Sequence, residues 1–227
     1  MDKASRWLAS TLDYRFDDPA LFAQALTHRS ASGASNERLE FLGDAVLDFV
    51  VSEIVYAAMP AADEGDLSRL RSSLVKDSSL AGLAADIGLG EHLILGGGER
   101  KSGGHRRKSI LADTLEALFG AVYLDAGYSA AKAIIARTFG DRLVNLPDPR
   151  ELRDPKTRLQ EWLQARHLPL PDYELIEISG EAHKQRFEIR CSVDGVESAA
   201  RGKSSSRRRA EQKAAERMLS ELARAEQ

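Results

Sequence analysis

The sequence predicts two domains: an all-α domain, then a smaller domain of order α-β-β-β-α. Three observations carry this. Residues 147–155 read Pro-Asp-Pro-Arg-Glu-Leu-Arg-Asp-Pro, three prolines among charges with no apolar periodicity, which is linker composition. Before that stretch apolar residues recur almost throughout at helical spacing. After it a strict period-two alternation appears. The expected layout is a helical domain over 1–146, a linker over 147–153 and a mixed domain over 154–224, within a chain of 227 residues.

The mixed domain parses element by element. Asp154 followed by Pro155 is a helix start, a capping side chain with proline at the first helical position. Leu159, Trp162, Leu163 and Arg166 make the inward stripe of that helix, with Gln160 and Gln164 one turn apart on another face; Pro169 and Pro171 are expected to end it. Tyr173–Ile178 is a predicted strand. Phe187, Ile189, Cys191 and Val193 alternate with Arg186, Glu188, Arg190 and Ser192, as a half-buried strand requires. Asp194-Gly195 is a tight-turn pair leading to a third strand near Val196–Ala200. A last helix is expected from Ser205 or Ser206, with Ala210, Ala214, Met218 and Leu222 at every fourth position.

Composition narrows the function. With 43% hydrophobic and 30% charged residues the chain reads as an ordinary globular protein. No run approaches the ~18 apolar residues of a membrane span, and the first nine residues lack the pattern of a secretory leader. A cytoplasmic protein with no membrane partner is expected. Cys191, the single cysteine, excludes an internal disulfide and a cysteine-based zinc site. Gly96-Gly97-Gly98 and Gly103-Gly104 lack the Gly-Lys-Ser/Thr of a Walker loop, so they read as flexible loop and no organic cofactor is expected.

Net charge is −3, but its distribution says more. Arg201–Lys213 holds six basic residues against Glu211 alone, and Arg100–Lys108 holds five with no acid. Basic segments concentrated on an otherwise acidic chain suit either solvated surface or a polyanionic partner.

Two acidic faces stand out. Over Glu37–Ala58, read as one helix interrupted only by Gly43, the side chains of Glu37, Glu40, Asp44 and Asp48 share an arc of about 80°. Leu39, Leu42, Val46, Phe49, Val50 and Ile54 are expected to face the core. Ile110–Leu124 is apolar nearly all round, hence buried, with Asp113 and Glu116 as its only charges. Carboxylates in such a helix are costly unless paired or bound to metal. Two readings stand at this level: a buried salt-bridge cluster, or a hard-oxygen site of the kind Mg²⁺ prefers.

These residues also carry a family resemblance. Glu37-Arg-Leu-Glu-Phe-Leu-Gly-Asp-Ala-Val-Leu47 resembles the ribonuclease III signature. Ala25–Ser30, Glu64–Arg71, Gly98–Gly104 and Ser109–Gly127 are similar to that family's other stretches. The end of the chain, through Ser206-Arg-Arg-Arg-Ala-Glu-Gln-Lys-Ala-Ala215, resembles a double-stranded-RNA-binding domain. The resemblance implies an endonuclease that hydrolyses double-stranded RNA with Mg²⁺ (Mn²⁺ as a substitute). Its products would carry 5′-phosphate and 3′-hydroxyl ends with short 3′ overhangs, and its roles would be rRNA precursor and mRNA processing. It implies a homodimer, with Phe41 in the interface. By position, Glu40, Asp44, Asp113 and Glu116 are the metal-binding acids, Asp44 and Glu116 being catalytic, and Glu37 and Glu64 are further acids near the RNA valley. Gln160, Gln164, His183, Lys203, Arg207 and Arg208 are the implied RNA contacts, His183 within the loop Glu181-Ala-His183. Ser204 departs from the pattern, standing where the family usually has glycine. His28 and Cys191 are given no catalytic role. Two rivals remain on residues alone: a double-stranded-RNA binder that does not cut, and a helical metal-dependent phosphohydrolase of nucleotides.

Overall fold

A computed structural model describes residues 2–181 and 183–225. The chain divides into two compact units between Pro149 and Arg150. The first is helical: α1 (Asp2–Leu12), α2 (Pro19–Ala25), α3 (Glu37–Ala58), α4 (Glu64–Val75), α5 (Asp77–Asp86), α6 (Gly97–Lys101), α7 (Lys108–Phe139) and α8 (Asp141–Val144). The second runs α9 (Pro155–Gln164), β1 (Asp172–Ser179), β2 (Arg186–Ser192), β3 (Ala199–Ser204) and α10 (Arg207–Ala225). A short 3₁₀ turn at Pro149–Leu152 lies within the stretch read as linker.

α7 is the spine of the first unit. Its apolar circumference is buried, with Leu115, Leu118, Phe119 and Ile135 wholly inaccessible, and α3 and α5 pack along it. The helix breaks once, at Gly127, whose φ of 78° suits glycine and few other residues. α3 spans the predicted Glu37–Ala58. Its expected core stripe holds at Leu39, Val46 and Val50 but fails at Phe49, which stays 62% exposed beside the Tyr128 ring of α7, 5.5 Å between centroids. The glycine clusters are more ordered than expected. Gly97–Lys101 is a turn of helix and Gly104–Arg106 a 3₁₀ turn, pinned where Ser30 Oγ accepts the Gly96 N–H at 3.0 Å.

In the second unit the sheet order is β1-β2-β3, antiparallel throughout, with a bulge between Leu175 and Glu177. Leu159, Leu163, Ile189, Cys191, Ala200, Ala210, Ala214 and Met218 close a core between sheet and helices. Asp154 caps α9, accepting from the Lys156 N–H at 2.9 Å. That helix ends at Gln164, before the two prolines. His167 takes a left-handed φ of 56° to turn the chain, while the Arg166 guanidinium stacks on the Trp162 ring at 3.8 Å instead of continuing the stripe. The third strand lies about three residues beyond its predicted place. Gly202 sits inside it because α10 crosses there too closely for a side chain: a Cβ would lie 2.1 Å from the Ala210 carbonyl oxygen.

The tightest approach in the first unit also falls at a glycine. A Cβ on Gly43 would stand 1.8 Å from the Glu116 carbonyl oxygen, and one on Gly120 2.3 Å from that of Leu39. Only hydrogen fits between α3 and α7 at this crossing. Gly43→Ala is expected to destabilise the chain by about 1–3 kcal/mol or more, since an extra carbon against rigid backbone forces the helices apart. Gly97→Ala, whose Cβ would meet nothing within 4 Å, should stay within about 0.5 kcal/mol. Urea midpoints for the two variants test this, and equal midpoints would refute the role given to the crossing.

Candidate metal centre and nucleic-acid interface

The glycine crossing sets two acidic faces against each other. Ligand oxygens of Glu40, Asp113 and Glu116 all lie within 4.8 Å of one another. Asp44, one turn further along α3, is not part of that compact group, although its charge bears on Glu116. Buried Asn36 fixes where α3 begins. Its N–H donates to the Thr27 carbonyl at 2.9 Å, and its side-chain amide reaches the Ala25 carbonyl and Thr114 Oγ1, both at 3.4 Å. The start of α3 is thus tied to the helical turn of α7 that carries Asp113.

Among the described residues none of the four acids makes an ion pair or a hydrogen bond to another side chain, so the salt-bridge reading finds no support. Burial, then the charges of Asp44, Asp113, Glu40 and Asp77, push the Glu116 carboxyl up to about 8. Glu40 is raised by burial and by Asp113 and Glu37, against Arg29. Burial and Asp77 raise Asp113, with His28 and Arg29 opposing; burial and Asp48 raise Asp44. Clustered hard-oxygen donors that are in no ion pair among the described residues are the donor set a divalent cation satisfies.

Beside the cluster opens a cleft of about 610 Å³, lined in part by Glu37, Glu40 and Asp113 and by His28, Arg29, Ser30 and Arg107. Arg29 lies 3.7 Å from Glu37, and Arg107 3.0 Å from Glu99. Spacing alone had not singled out Asp77 or these two arginines; Arg107 was visible only as one of five residues in a basic run. His28 is held by its neighbours, its Nδ1 accepting the Ser30 N–H at 3.1 Å. Glu64 lies apart from the cluster, in a hollow with Tyr56 and Arg71. Phe41 is 81% exposed, and Phe49 (62%) and Tyr56 (74%) also stand exposed on α3.

In the second unit Gln160, Gln164, His183, Lys203, Arg207 and Arg208 are all exposed; Ala182 of the predicted loop lies outside the described residues. His183 Nε2 is 3.4 Å from the Glu181 carboxylate. Glu211 accepts from Arg207 Nε at 3.1 Å and from Lys156 Nζ at 2.7 Å, joining the starts of α10 and α9. Lys203 pairs with buried Glu188 at 2.8 Å.

Residues 18–143 match the family model described as ribonuclease-III-like, and residues 155–222 the double-stranded RNA binding motif. The chain is 54% identical over 212 residues to the ribonuclease 3 of Colwellia psychrerythraea, covering 93% of this chain and 80% of that one. The chain belongs to the ribonuclease III family. A second member, the ribonuclease 3 of Alkalilimnicola ehrlichii, is 54% identical across 95% of this chain and 94% of its own. A solved nuclease domain of ribonuclease III from Campylobacter jejuni superposes with a TM-score of 0.57 at 45% identity, covering 58% of this chain and 93% of that one. Among the described residues no helix is long and apolar enough to cross a membrane.

The raised Glu116 carboxyl has a consequence for stability. Without metal the folded chain keeps a proton up to about pH 8, whereas the unfolded chain releases it near 4.5. Unfolding is therefore increasingly favoured as pH rises between those values, and no further above them. Glu116→Gln in chelator should raise the melting temperature by about 2–4 °C per kcal/mol of relieved strain, and by more at pH 8 than at pH 5. The same increment at both pH values would show that Glu116 is not held protonated.

Proposed function

We propose that this chain is a homodimeric, cytoplasmic endoribonuclease that hydrolyses double-stranded RNA. Its products carry 5′-phosphate and 3′-hydroxyl ends with short 3′ overhangs, and its roles are rRNA precursor and mRNA processing. The observation that carries the reading is the meeting of Glu40, Asp113 and Glu116 within 4.8 Å on two crossing helices, in a chain 54% identical to a ribonuclease 3 over nearly its whole length. Residues 1–146 form the nuclease domain, 147–153 the linker and 154–224 the RNA-binding domain.

Glu40, Asp113 and Glu116, with Asp44 one turn away, are the residues that would hold Mg²⁺, with Mn²⁺ as a substitute. A bound ion supplies a water of lowered pKa and neutralises charge at the phosphate. The chain's own groups bind and orient. Asp44 and Glu116 complete the catalytic acids, while Glu37 steadies Arg29 at the cleft wall, where Arg29 and Arg107 face phosphate charge. Gln160 and Gln164 on α9 and His183 in the β1–β2 loop read successive minor grooves, as modules of this order do over ~16 bp with little sequence preference. Lys203, Arg207 and Arg208 meet the phosphates between them, aided by the positive end of α10.

The dimer contact follows the exposed aromatic side of α3, with Phe41 at its centre and Glu64 near the RNA valley. An exposed apolar face on a well-packed domain marks an interaction site. The Campylobacter jejuni structure concerns the region of its nuclease domain involved in dimer formation.

Two measurements test this reading. Glu116→Ala should leave duplex binding within a few fold and abolish cleavage in Mg²⁺; near-normal cutting would remove the acid from the site. Arg207→Ala combined with Arg208→Ala should reduce the slope of log affinity against log salt by about 0.7–0.9 per lost phosphate contact. An unaltered slope would make these arginines bystanders.

A further inference from the structure

The basic surface of the second unit extends beyond the residues implied by the family resemblance. At the open end of the β2–β3 ladder, a hollow of about 330 Å³ is lined by Arg186, Lys203, Ser204, Ser205 and Lys213. Four segments supply these groups. Arg186 stands one residue before Phe187, whose ladder partner is Ser204. Lys203 and Ser204 end β3, Ser205 begins the turn, and Lys213 projects from the second turn of α10.

The lining contains three cations, two hydroxyls and no acid. Among the described residues neither Arg186 nor Lys213 has an acidic partner. Lys203 is braced from beneath by Glu188 at 2.8 Å, which fixes its ammonium at the rim. Like charges brought together at one hollow repel, and the repulsion falls when an anion sits among them. The hollow is also distinct from the Arg207 side of α10. Arg207 pairs with Glu211 one turn on and, through it, with Lys156 of α9. Lys213 lies six residues from Arg207, about 120° away around the helix axis.

We infer that this hollow is an additional phosphodiester-binding subsite for the backbone of duplex RNA, in which Arg186 and Lys213 supply charge and the Ser204 hydroxyl donates a hydrogen bond. It gives a purpose to the serine that departs from the family pattern. The inference rests on the reading of the second unit as the RNA-binding module, and it enlarges that module's footprint from one side of α10 to the other.

The test uses the full-length protein, duplex RNA and chelator, so that binding is read without cleavage. Arg186→Gln combined with Lys213→Gln should lower the slope of log affinity against log salt by about 0.7–0.9, and affinity at ~0.15 M salt by about fivefold. Circular dichroism should be unchanged, since both side chains are exposed and in no ion pair among the described residues. Ser204→Ala keeps the Cβ and removes only the hydroxyl, so affinity should fall about two- to tenfold at unchanged slope. An unchanged slope and affinity for Arg186→Gln/Lys213→Gln, beside a loss for Arg207→Ala/Arg208→Ala, would overturn the subsite and leave the module's RNA role standing. No loss from either pair would overturn both. Titration with inorganic phosphate, read by the amide resonances of Ser204 and Ser205, separates the two sources of the anion. Saturation at low millimolar phosphate would make the hollow a free-anion site and refute its assignment to RNA, whereas shifts with duplex alone support it.

Discussion

The approach of α3 to α7 at Gly43 and Gly120 is the contact on which the site depends. Helices that pack through side chains usually keep their axes about 8–10 Å apart. Here backbone meets backbone, and the carbonyl of Glu116 lies where a Gly43 Cβ would be. Glu116 is a member of the acid cluster, so one turn of α7 both closes the crossing and presents the carboxylate. Leu39 does the same from α3, its carbonyl facing Gly120 while Glu40, the next residue, joins the cluster. A bulkier residue at either glycine would separate the helices and with them the ligand oxygens.

Such a cluster opposes folding. Burial and the charge of neighbouring carboxylates raise all four acids, Glu116 most of all. What holds them together is the apolar remainder of α7 and its neighbours, with Leu47, Val50, Leu70, Leu80, Leu115, Leu118 and Phe119 sealed from solvent. A site that violates the local rules while its surroundings obey them is the expected signature of function. The second unit repeats the device on a smaller scale, with Gly202 admitting α10 onto β3 and so placing the start of that basic helix beside the strand end.

Much of this was legible from residues alone. The four-residue acidic arc on α3, the acid pair on the otherwise apolar α7 and the bounds of α3 all follow from helical periodicity. The α-β-β-β-α order follows from the Asp154-Pro155 start and the period-two run through β2. The misplacements have local causes. Phe49 is apolar and at core spacing, yet it stays largely exposed, with the Tyr128 ring of α7 on one side of it. β3 was placed too early because Ala199–Ser204, with glycine and two basic residues, has weak strand propensity and forms through its ladder with β2. The glycine clusters read as loop because backbone pinning by Ser30 is a long-range contact that no local pattern announces.

The sequence by itself determined which residues are acidic, which faces they share and where the chain changes from helical to mixed architecture, because those properties repeat with the period of the local backbone. Tertiary structure alone decided that Glu40 meets Asp113 and Glu116 while Asp44 stands a turn aside, and that Arg29 and Arg107, distant in the chain, line one cleft. It also decided that Arg186 and Lys213 share a hollow with Ser204. Distances between separate helices and strands depend on how closely their backbones pass. Here that was set by glycines, whose missing side chain leaves no periodic trace.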